Sequence, residues 1–331
     1  MHYTNLGRTG LRVSKLCLGT MTFGIQCDEA QSHAVLDAAA EGGIDFVDTA
    51  DVYPLGADLT LVGRTEEIVG GWLKGKRQHF VLATKCVGKM GPKPWDVGMS
   101  RKHILEAVEA SLKRLGTHYI DLYQLHRYDP LTPMDEALEA LDTVVRMGKA
   151  RYVGVSNWPA YKVARALGRG EAKSLARIES VQPRYNLLFR AFERDLLPLC
   201  AEEALAVIPY NPLAGGLLTG KHDRAAPPAQ GTRFTVGRAS ALYTSRYWHE
   251  REFDTVDALR ALAKEAGLSM ASMAVGWVLT NPAVTSPIIG VSRPEQLADS
   301  LAAEERGPLA ADLMAKLDEV THSWRTVDAE R

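Results

Sequence analysis

The sequence has few of the features that mark metalloproteins and disulfide-stabilised secreted proteins. Its 331 residues include four cysteines without a C-x-x-C pair, and nine histidines without an H-E-x-x-H motif or a Cys/His cluster. We therefore expect free thiols in a reducing compartment and no metal site. The N-terminal segment is polar and lacks the apolar core of a signal peptide, so the sequence predicts a cytoplasmic protein.

An excess of charge of either sign is also missing. Lys and Arg number 39 against 40 Asp and Glu, which gives a net charge of −1. A nucleic-acid-binding protein usually has a basic excess. A disordered chain would contain fewer hydrophobic residues than the 46% found here. These values predict a globular protein that does not bind nucleic acid.

No run of the sequence is long and apolar enough to suggest a membrane span. Charged residues are absent between Gly267 and Ser292, but Asn281–Pro282 and Pro287 interrupt this stretch. A transmembrane helix needs about 20 consecutive, mostly apolar residues. We expect a buried helix followed by a buried strand here, and no contact with a membrane.

Short β-branched apolar runs alternate with segments of helical period along the chain. Eight runs are predicted as strands, at 14–21, 43–50, 79–85, 119–126, 150–157, 178–183, 205–211 and 285–292. Three of the predicted helices lie at 28–43, 100–116 and 134–149. Eight β/α units favour an α/β fold, a (β/α)8 TIM barrel, in one domain over residues 1–331. An N-terminal β-hairpin, a long loop after strand seven (212–250) and a C-terminal helix beyond Pro308 complete the prediction.

Ionisable residues stand where successive predicted strands end. Asp48, Lys85 and His126 end strands two, three and four, and Tyr53 follows Asp48 in the next loop. Because barrels of this type carry their chemistry at the carboxyl ends of the strands, we expect these side chains on one rim. A nearby ammonium should lower the pKa of the Tyr53 phenol, which would make it a proton donor to a carbonyl oxygen. Taken singly, each residue also fits a structural role, as a turn cap, an ion-pair partner, a core histidine or loop packing.

A set of motifs that spans nearly the whole chain resembles the aldo-keto reductase family. They follow the family order from the first strand to the last: GTMTFG (19–24), DFVDTADVY (45–53), LATK (82–85), SLKRLGTHYIDLYQLHRYD (111–129), GKARYVGVSN (148–157), SVQPRYN (180–186), PYNPLAGGLLTGK (209–221) and PIIGVSRPEQL (287–297). Their style is most similar to the bacterial long-loop branch, which includes aryl-alcohol-dehydrogenase-like and potassium-channel β-subunit-like members.

The resemblance implies hydride transfer from NADPH to a small aldehyde or ketone. In the family's catalytic tetrad, here Asp48, Tyr53, Lys85 and His126, Tyr53 would donate the proton to the carbonyl oxygen. Lys85 and Asp48 would tune that tyrosine, and His126 would orient the carbonyl. No feature of the sequence indicates an oligomeric state.

The cofactor contacts implied by the resemblance lie in strand ends and loops. They are Gly19 and Thr20 below the nicotinamide ribose; Ser156, Asn157 and Gln182 on the carboxamide; Tyr210 stacked on the nicotinamide; Leu213, Ala214, Gly216 and Leu218 around the diphosphate; and Gly290, Ser292, Arg293 and Gln296 toward the adenosine 2′-phosphate. An arginine at position 293 favours NADPH over NADH, since a guanidinium matches the geometry of a phosphate.

Three positions depart from the family pattern. Pro54, Asn211 and Ser300 replace the usual glycine, serine and asparagine, and Pro54 is expected to reshape the wall beside Tyr53. The substrate pocket is less defined. Four aromatic residues that follow strands are predicted either to line an apolar pocket or to pack within loops: Phe23, Trp95, Tyr128 and Trp158.

Three other functions stay open on the residues alone. GGLLTGK (215–221) fits the first seven positions of an ATP-binding P-loop, but His222 stands where Ser or Thr would hold magnesium. Asp48 and Asp121 suggest a carboxylate-based hydrolase, although Asp121 lies near the start of strand four, away from the rim. The third is an NADPH-binding regulatory or partner subunit with little turnover.

Overall fold

A small antiparallel hairpin covers one end of a barrel in the computed structural model of the chain, which describes residues 1–326. Strand β1 (Tyr3–Asn5) pairs with β2 (Arg12–Ser14). Leu6 and Val13 of this segment are fully buried and pack against side chains from inside the barrel. The predicted hairpin is thus confirmed, and it closes the end of the barrel interior. The last residues of the predicted domain, 327–331, lie outside the described part.

The barrel wall is a parallel sheet in which each strand pairs with the next along the chain, and the last pairs with the first. Hydrogen bonds from Thr285 N to Val207 O (2.8 Å) and from Ile288 N to Pro209 O (2.8 Å) join the remaining two edges. The predicted (β/α)8 barrel is confirmed. Its strands are β3 (Cys17–Gly19), β4 (Phe46–Asp48), β5 (Val81–Cys86), β6 (Ile120–Leu125), β7 (Ala150–Ser156), β8 (Ile178–Gln182), β9 (Ala206–Val207) and β10 (Ile288–Gly290).

Helices connect the strands and bury their apolar faces against the outside of the sheet. Local signals set their ends: Asp28 forms a capping box with Gln31, Ser100 accepts from the N–H of His103, and Gly116 ends its helix with a φ of 61°. The helices are α1 (Glu29–Glu41), α2 (Arg64–Leu73), α3 (Arg101–Leu115), α4 (Met134–Arg146), α5 (Ala160–Ala172), α6 (Leu196–Glu202), α7 (Ser240–Tyr247), α8 (Glu250–Glu265), α9 (Met270–Thr280), α10 (Ala298–Arg306) and α11 (Ala311–Thr321).

The long segment after β9 shapes the open end of the barrel. It contains a 3₁₀ turn (Ala214–Thr219) and the short helix α7, which the sequence did not predict. The uncharged stretch after Gly267 forms α9 and β10, as expected. Within residues 1–326, no helix combines the length and the apolar character needed to cross a bilayer.

Candidate active site

A buried ion pair lies at the carboxyl ends of two neighbouring strands. Lys85 Nζ on β5 donates to Asp48 Oδ2 at the end of β4 (2.5 Å) and to the carbonyl oxygen of Thr49 (2.8 Å). Both side chains are buried. Burying either charge alone would cost several kcal/mol, so each of the two residues needs the other as its counter-ion.

Tyr53 and His126 join this pair. Lys85 Nζ lies 5.0 Å from the centroid of the Tyr53 ring. The rings of Tyr53 and His126 meet edge to face, with centroids 5.7 Å apart and planes at 78°. The phenol, ammonium, carboxylate and imidazole that the sequence predicts for one rim therefore lie together.

Two glutamines from the barrel interior hold the other oxygen of the carboxylate. Gln182 Nε2 donates to Asp48 Oδ1 (2.9 Å), and Gln124 Nε2 donates to the same oxygen (3.2 Å). Gln124 was not predicted, because nothing in the sequence of β6 distinguishes it from an ordinary core position. With Lys85 on its second oxygen, the carboxylate of Asp48 is held from three directions.

The pKa of Tyr53 moves in the direction opposite to our expectation. Burial raises the pKa of this phenol to about 12, and the lowering effect of the Lys85 ammonium offsets only part of that rise. Tyr53 is 7% exposed, so the loss of hydration disfavours the phenolate strongly. The prediction failed because a charge near the phenol can be inferred from sequence, whereas the depth of burial cannot.

Burial and charge also set the states of the other two titratable groups. Burial lowers the pKa of His126 well below its usual range, and the positive charge of Lys85 adds to this effect, so the imidazole is neutral near pH 7. Burial alone would lower the pKa of Lys85, but Asp48 and Tyr53 together outweigh it and the pKa is raised. The cluster thus combines a neutral phenol, a neutral imidazole and a charged ammonium.

A cavity of about 1060 Å³ opens beside these groups at the carboxyl end of the barrel. Asp48, Tyr53 and His126 lie on its wall, and Lys85 lies behind them. Among the predicted cofactor residues, Ala214 and Leu218 are buried behind the wall. The others line the cavity: Gly19, Thr20, Ser156, Asn157, Gln182, Tyr210, Leu213, Gly216, Gly290, Ser292, Arg293 and Gln296.

The residues of this cavity fit an elongated anion such as a dinucleotide. Gly215 and Gly216 have φ angles of 71° and 102°, which only glycine adopts easily. A Cβ on Gly216 would have no neighbour nearer than 3.8 Å among the described residues, so the backbone there is open to close approach, whereas a Cβ on Gly215 would meet Tyr243 at 2.7 Å. Lys221 Nζ lies 3.8 Å from the point where a Cβ on Gly216 would stand. Arg233 and Arg293 also line the cavity, and neither makes an ion pair within residues 1–326. A glycine floor followed by free cations suits a diphosphate and a phosphate.

Hydrogen bonds within the wall hold the side chains predicted for the nicotinamide carboxamide. Ser156 Oγ donates to Gln182 O (2.8 Å), and Asn157 Nδ2 donates to His126 O (3.0 Å). Tyr210 Oη donates to Asn157 Oδ1 (2.9 Å). These side chains are rigidly placed, which is the arrangement that a preformed binding site needs.

The side chain of Gln296 holds the loop that follows β10. The backbone N–H of Ser292 donates to Gln296 Oε1 (2.8 Å). Gln296 therefore fixes the turn that carries Arg293, and this contact occupies one of its polar atoms.

None of the four aromatic residues considered for a substrate pocket lines the cavity. Phe23 and Trp158 are buried in the core, Tyr128 stacks edge to face on Trp158, and Trp95 is 48% exposed. Phe23, Tyr128 and Trp158 thus pack inward, as the alternative interpretation predicted, whereas Trp95 does not. The cavity wall beside Tyr53 is instead formed by residues that the sequence did not single out: Met21, Val52, Leu55, Leu242 and Tyr243.

The three departures from the family pattern lie in different local settings. Asn211 has a φ of 66°, which asparagine tolerates; its Oδ1 accepts from Gly215 N (2.7 Å) and its Nδ2 donates to Tyr247 Oη (2.9 Å). It therefore braces the glycine loop. Pro54 follows a cis peptide bond from Tyr53. Ser300 is buried in α10.

Asp121 and the segment GGLLTGK, which suggested two competing functions, have other roles in the structure. Asp121 accepts from Arg77 (2.7 Å) and from the N–H of Leu82 (2.8 Å), so it ties β6 to its neighbours. GGLLTGK follows β9 and forms a 3₁₀ turn, whereas a P-loop leads into an α-helix. Neither Asp121 nor GGLLTGK is therefore placed as its competing function would require.

Comparison with known proteins identifies the relatives of this chain. Residues 15–322 match the model of the Aldo/keto reductase family. The chain belongs to this family. It is 42% identical to the "Uncharacterized oxidoreductase YrpG" of Bacillus subtilis, over 92% of this chain and 91% of that protein.

Two further relatives show how diverse the similar proteins are. The chain is 35% identical to a "Probable voltage-gated potassium channel subunit beta" of Arabidopsis thaliana, over 98% of this chain and 97% of that protein. It is 34% identical to the "Versiconal hemiacetal acetate reductase" of Aspergillus parasiticus, over 91% and 92% respectively. This aldo/keto reductase is accordingly an oxidoreductase of a family that uses nicotinamide cofactors and acts on small carbonyl compounds.

Proposed function

We propose that this aldo/keto reductase uses NADPH to reduce aldehydes or ketones to alcohols, with Tyr53 as the proton donor. The observation that carries the proposal is the grouping of Tyr53, His126 and the Asp48–Lys85 ion pair on the wall of a cavity that fits a dinucleotide. A carbonyl oxygen that reached Tyr53 would meet a protonated phenol and a neutral imidazole together.

Each side chain has a separate task in this reaction. A bound nicotinamide supplies the hydride. Tyr53 donates its phenolic proton to the carbonyl oxygen, and the Lys85 ammonium stabilises the phenolate that remains. Asp48 keeps Lys85 charged and oriented, while the neutral imidazole of His126 donates an N–H to the same oxygen and fixes its position.

The preference for NADPH over NADH is supported by free cations near the predicted adenosine end of the cavity. Arg293 lines that part and makes no ion pair among residues 1–326. Lys221, beside Gly216 in the segment predicted for the diphosphate, is also unpaired among these residues, and both burial and the charge of Arg293 lower its pKa. Two neighbouring cations without an anion are stabilised by a phosphate group, which NADPH has at its 2′ position and NADH lacks.

The test is the variant Tyr53→Phe, which removes only the phenolic oxygen. We expect reduction of a panel of aldehydes and ketones to fall by about 10²–10⁴-fold. The NADPH Kd, measured by fluorescence titration, should stay within about twofold, because Tyr53 is not needed to hold the cofactor. Unchanged turnover would refute the role of Tyr53 as the acid.

A second function is supported by relatives named as potassium channel subunits in both Arabidopsis thaliana and Oryza sativa. In that case the chain would bind NADPH and act mainly as a partner of another protein. Tight NADPH binding without turnover of any carbonyl compound in the same panel would favour this function over the first.

A further inference from the structure

Helix α7 places an unpaired arginine on the cavity wall. Arg246 lines the cavity, and its Nε is buried without a hydrogen-bond partner among residues 1–326. It makes no ion pair with any carboxylate in the described part of the chain. A partly buried guanidinium without an acceptor is unfavourable, so the position is one that an external anion would stabilise.

A second guanidinium increases the positive charge at this place. Arg184 is 4% exposed and lies 3.6 Å from the centroid of the Phe189 ring. Burial lowers its pKa, and the nearby charge of Arg246 adds to that effect. No ion pair of Arg184 to a carboxylate is found within residues 1–326. Two neighbouring guanidinium groups therefore repel each other with no carboxylate to balance them.

The position of Arg246 relates it to the reacting end of the cavity. Tyr243, one helical turn earlier on α7, also lines the cavity and lies close enough to Tyr53 to influence its pKa. The charge of Arg246 acts to lower the pKa of Tyr210, whose hydroxyl donates a hydrogen bond to Asn157. Helix α7 thus contributes Tyr243 and Arg246 to the same cavity that Tyr53 and Tyr210 line.

The carboxylates on the cavity wall do not balance this charge. They are Asp48, which is paired with Lys85, and Asp299, which accepts from Ser269 Oγ beside the Arg293 loop. The cavity wall also carries six cations that make no ion pair among residues 1–326: Lys89, Arg127, Lys221, Arg233, Arg246 and Arg293. A cleft of one charge sign attracts ligands of the opposite sign.

We propose that Arg246 binds a carboxylate on the substrate, so that the preferred substrates are acidic aldehydes and ketones. The inference rests on the proposed function, because the carboxylate is placed relative to a carbonyl at Tyr53. The planar fork of a guanidinium donates to both oxygens of a carboxylate at once, which would also fix the direction in which the substrate enters.

The kinetic test compares benzaldehyde with 3- and 4-carboxybenzaldehyde in the wild type and in Arg246→Met. We expect the KM of at least one carboxylated aldehyde to rise roughly 10- to 100-fold in the variant, the loss of a charged hydrogen-bonded contact. The KM of benzaldehyde should change by less than about twofold. Arg246→Lys keeps the positive charge but lacks the planar fork, so its KM for the carboxylated aldehyde should lie between those of the wild type and Arg246→Met. Arg194→Met removes a charge of a side chain that is 81% exposed, and serves as the matched control.

A binding measurement separates this proposal from the proposed function. Calorimetry of the protein with NADP⁺ should detect binding of 3- or 4-(hydroxymethyl)benzoate that weakens in Arg246→Met, even if no aldehyde is turned over. Such a result would leave the anion site standing while the reductase function failed. Equal effects of the variant on charged and uncharged ligands would overturn the proposal. A higher Kd of NADPH in Arg246→Met would assign this arginine to the cofactor instead, and would also overturn the proposal.

Discussion

The Asp48–Lys85 ion pair gives a prediction that needs neither cofactor nor substrate. Asp48→Asn keeps the shape of the side chain, and its remaining oxygen can still accept from the amides of Gln182 and Gln124. It places a donor against the Lys85 ammonium, however, where the carboxylate oxygen now accepts at 2.5 Å. Lys85→Met leaves the carboxylate buried without its counter-ion.

The magnitude follows from the burial of both partners. Removing one member of a buried ion pair costs about 3–5 kcal/mol, because the other charge stays buried without compensation. Removing both charges leaves no such orphan, so the double variant should lose much less than the sum of the two single losses. We expect a coupling energy of roughly 2–3 kcal/mol.

The assay is urea-induced unfolding of the wild type, the two single variants and the double variant, followed by tryptophan fluorescence. The exposed pair Lys316–Glu265, with side chains 45% and 63% exposed, is the control, and its Lys316→Met and Glu265→Gln variants should change stability far less than the variants of the buried pair. Additive losses in the buried pair, or single losses as small as those of the control, would refute the reasoning.

Two further predictions concern the cofactor and the pH dependence. Arg293→Ala should raise the Kd of NADPH by roughly 10- to 100-fold and leave that of NADH nearly unchanged, as a fluorescence titration would measure; equal losses for both would contradict the 2′-phosphate role. Because burial raises the pKa of Tyr53 to about 12, alcohol oxidation, which needs the phenolate, should accelerate about tenfold per pH unit between roughly pH 7 and 9. Reduction, which needs the phenol, should not fall over the same range, and a fall near neutrality would contradict the assignment.

The sequence predicts most of the fold because the barrel repeats one pattern. Each predicted strand overlaps an observed one. The range 285–292 contains β10, whereas β5 ends one residue beyond the predicted 79–85. Helix α7 was not predicted, since it is short and follows a segment rich in Gly and Pro whose path is set by its contacts with the barrel. Gly56, for example, has no room for a Cβ because Ala239 N would lie 2.5 Å away.

The candidate site was predicted where position in the strand or a family motif decides it. Asp48, Lys85 and His126 lie at the end, or within one residue of the end, of successive strands, and strand ends meet on one rim whatever the loops do. The wall of the cavity depends on the loops. Arg246 therefore carried no signal in the sequence, where it is one of many arginines. In the described part of the chain, a buried Nε without a partner and a place on the cavity wall together distinguish it.

The high pKa of Tyr53 and its proposed role as an acid are compatible. With a pKa of about 12, roughly one phenol in 10⁵ is ionised at pH 7, so nearly every molecule holds the proton to be donated. The acceptor is an oxygen that becomes an alkoxide as hydride arrives, and an alkoxide is a stronger base than this phenolate. Lys85 then matters most after the transfer, since its ammonium lies close to the phenolate that has formed. Burial holds the proton in place before the reaction, and the ion pair stabilises the charge that the reaction leaves behind.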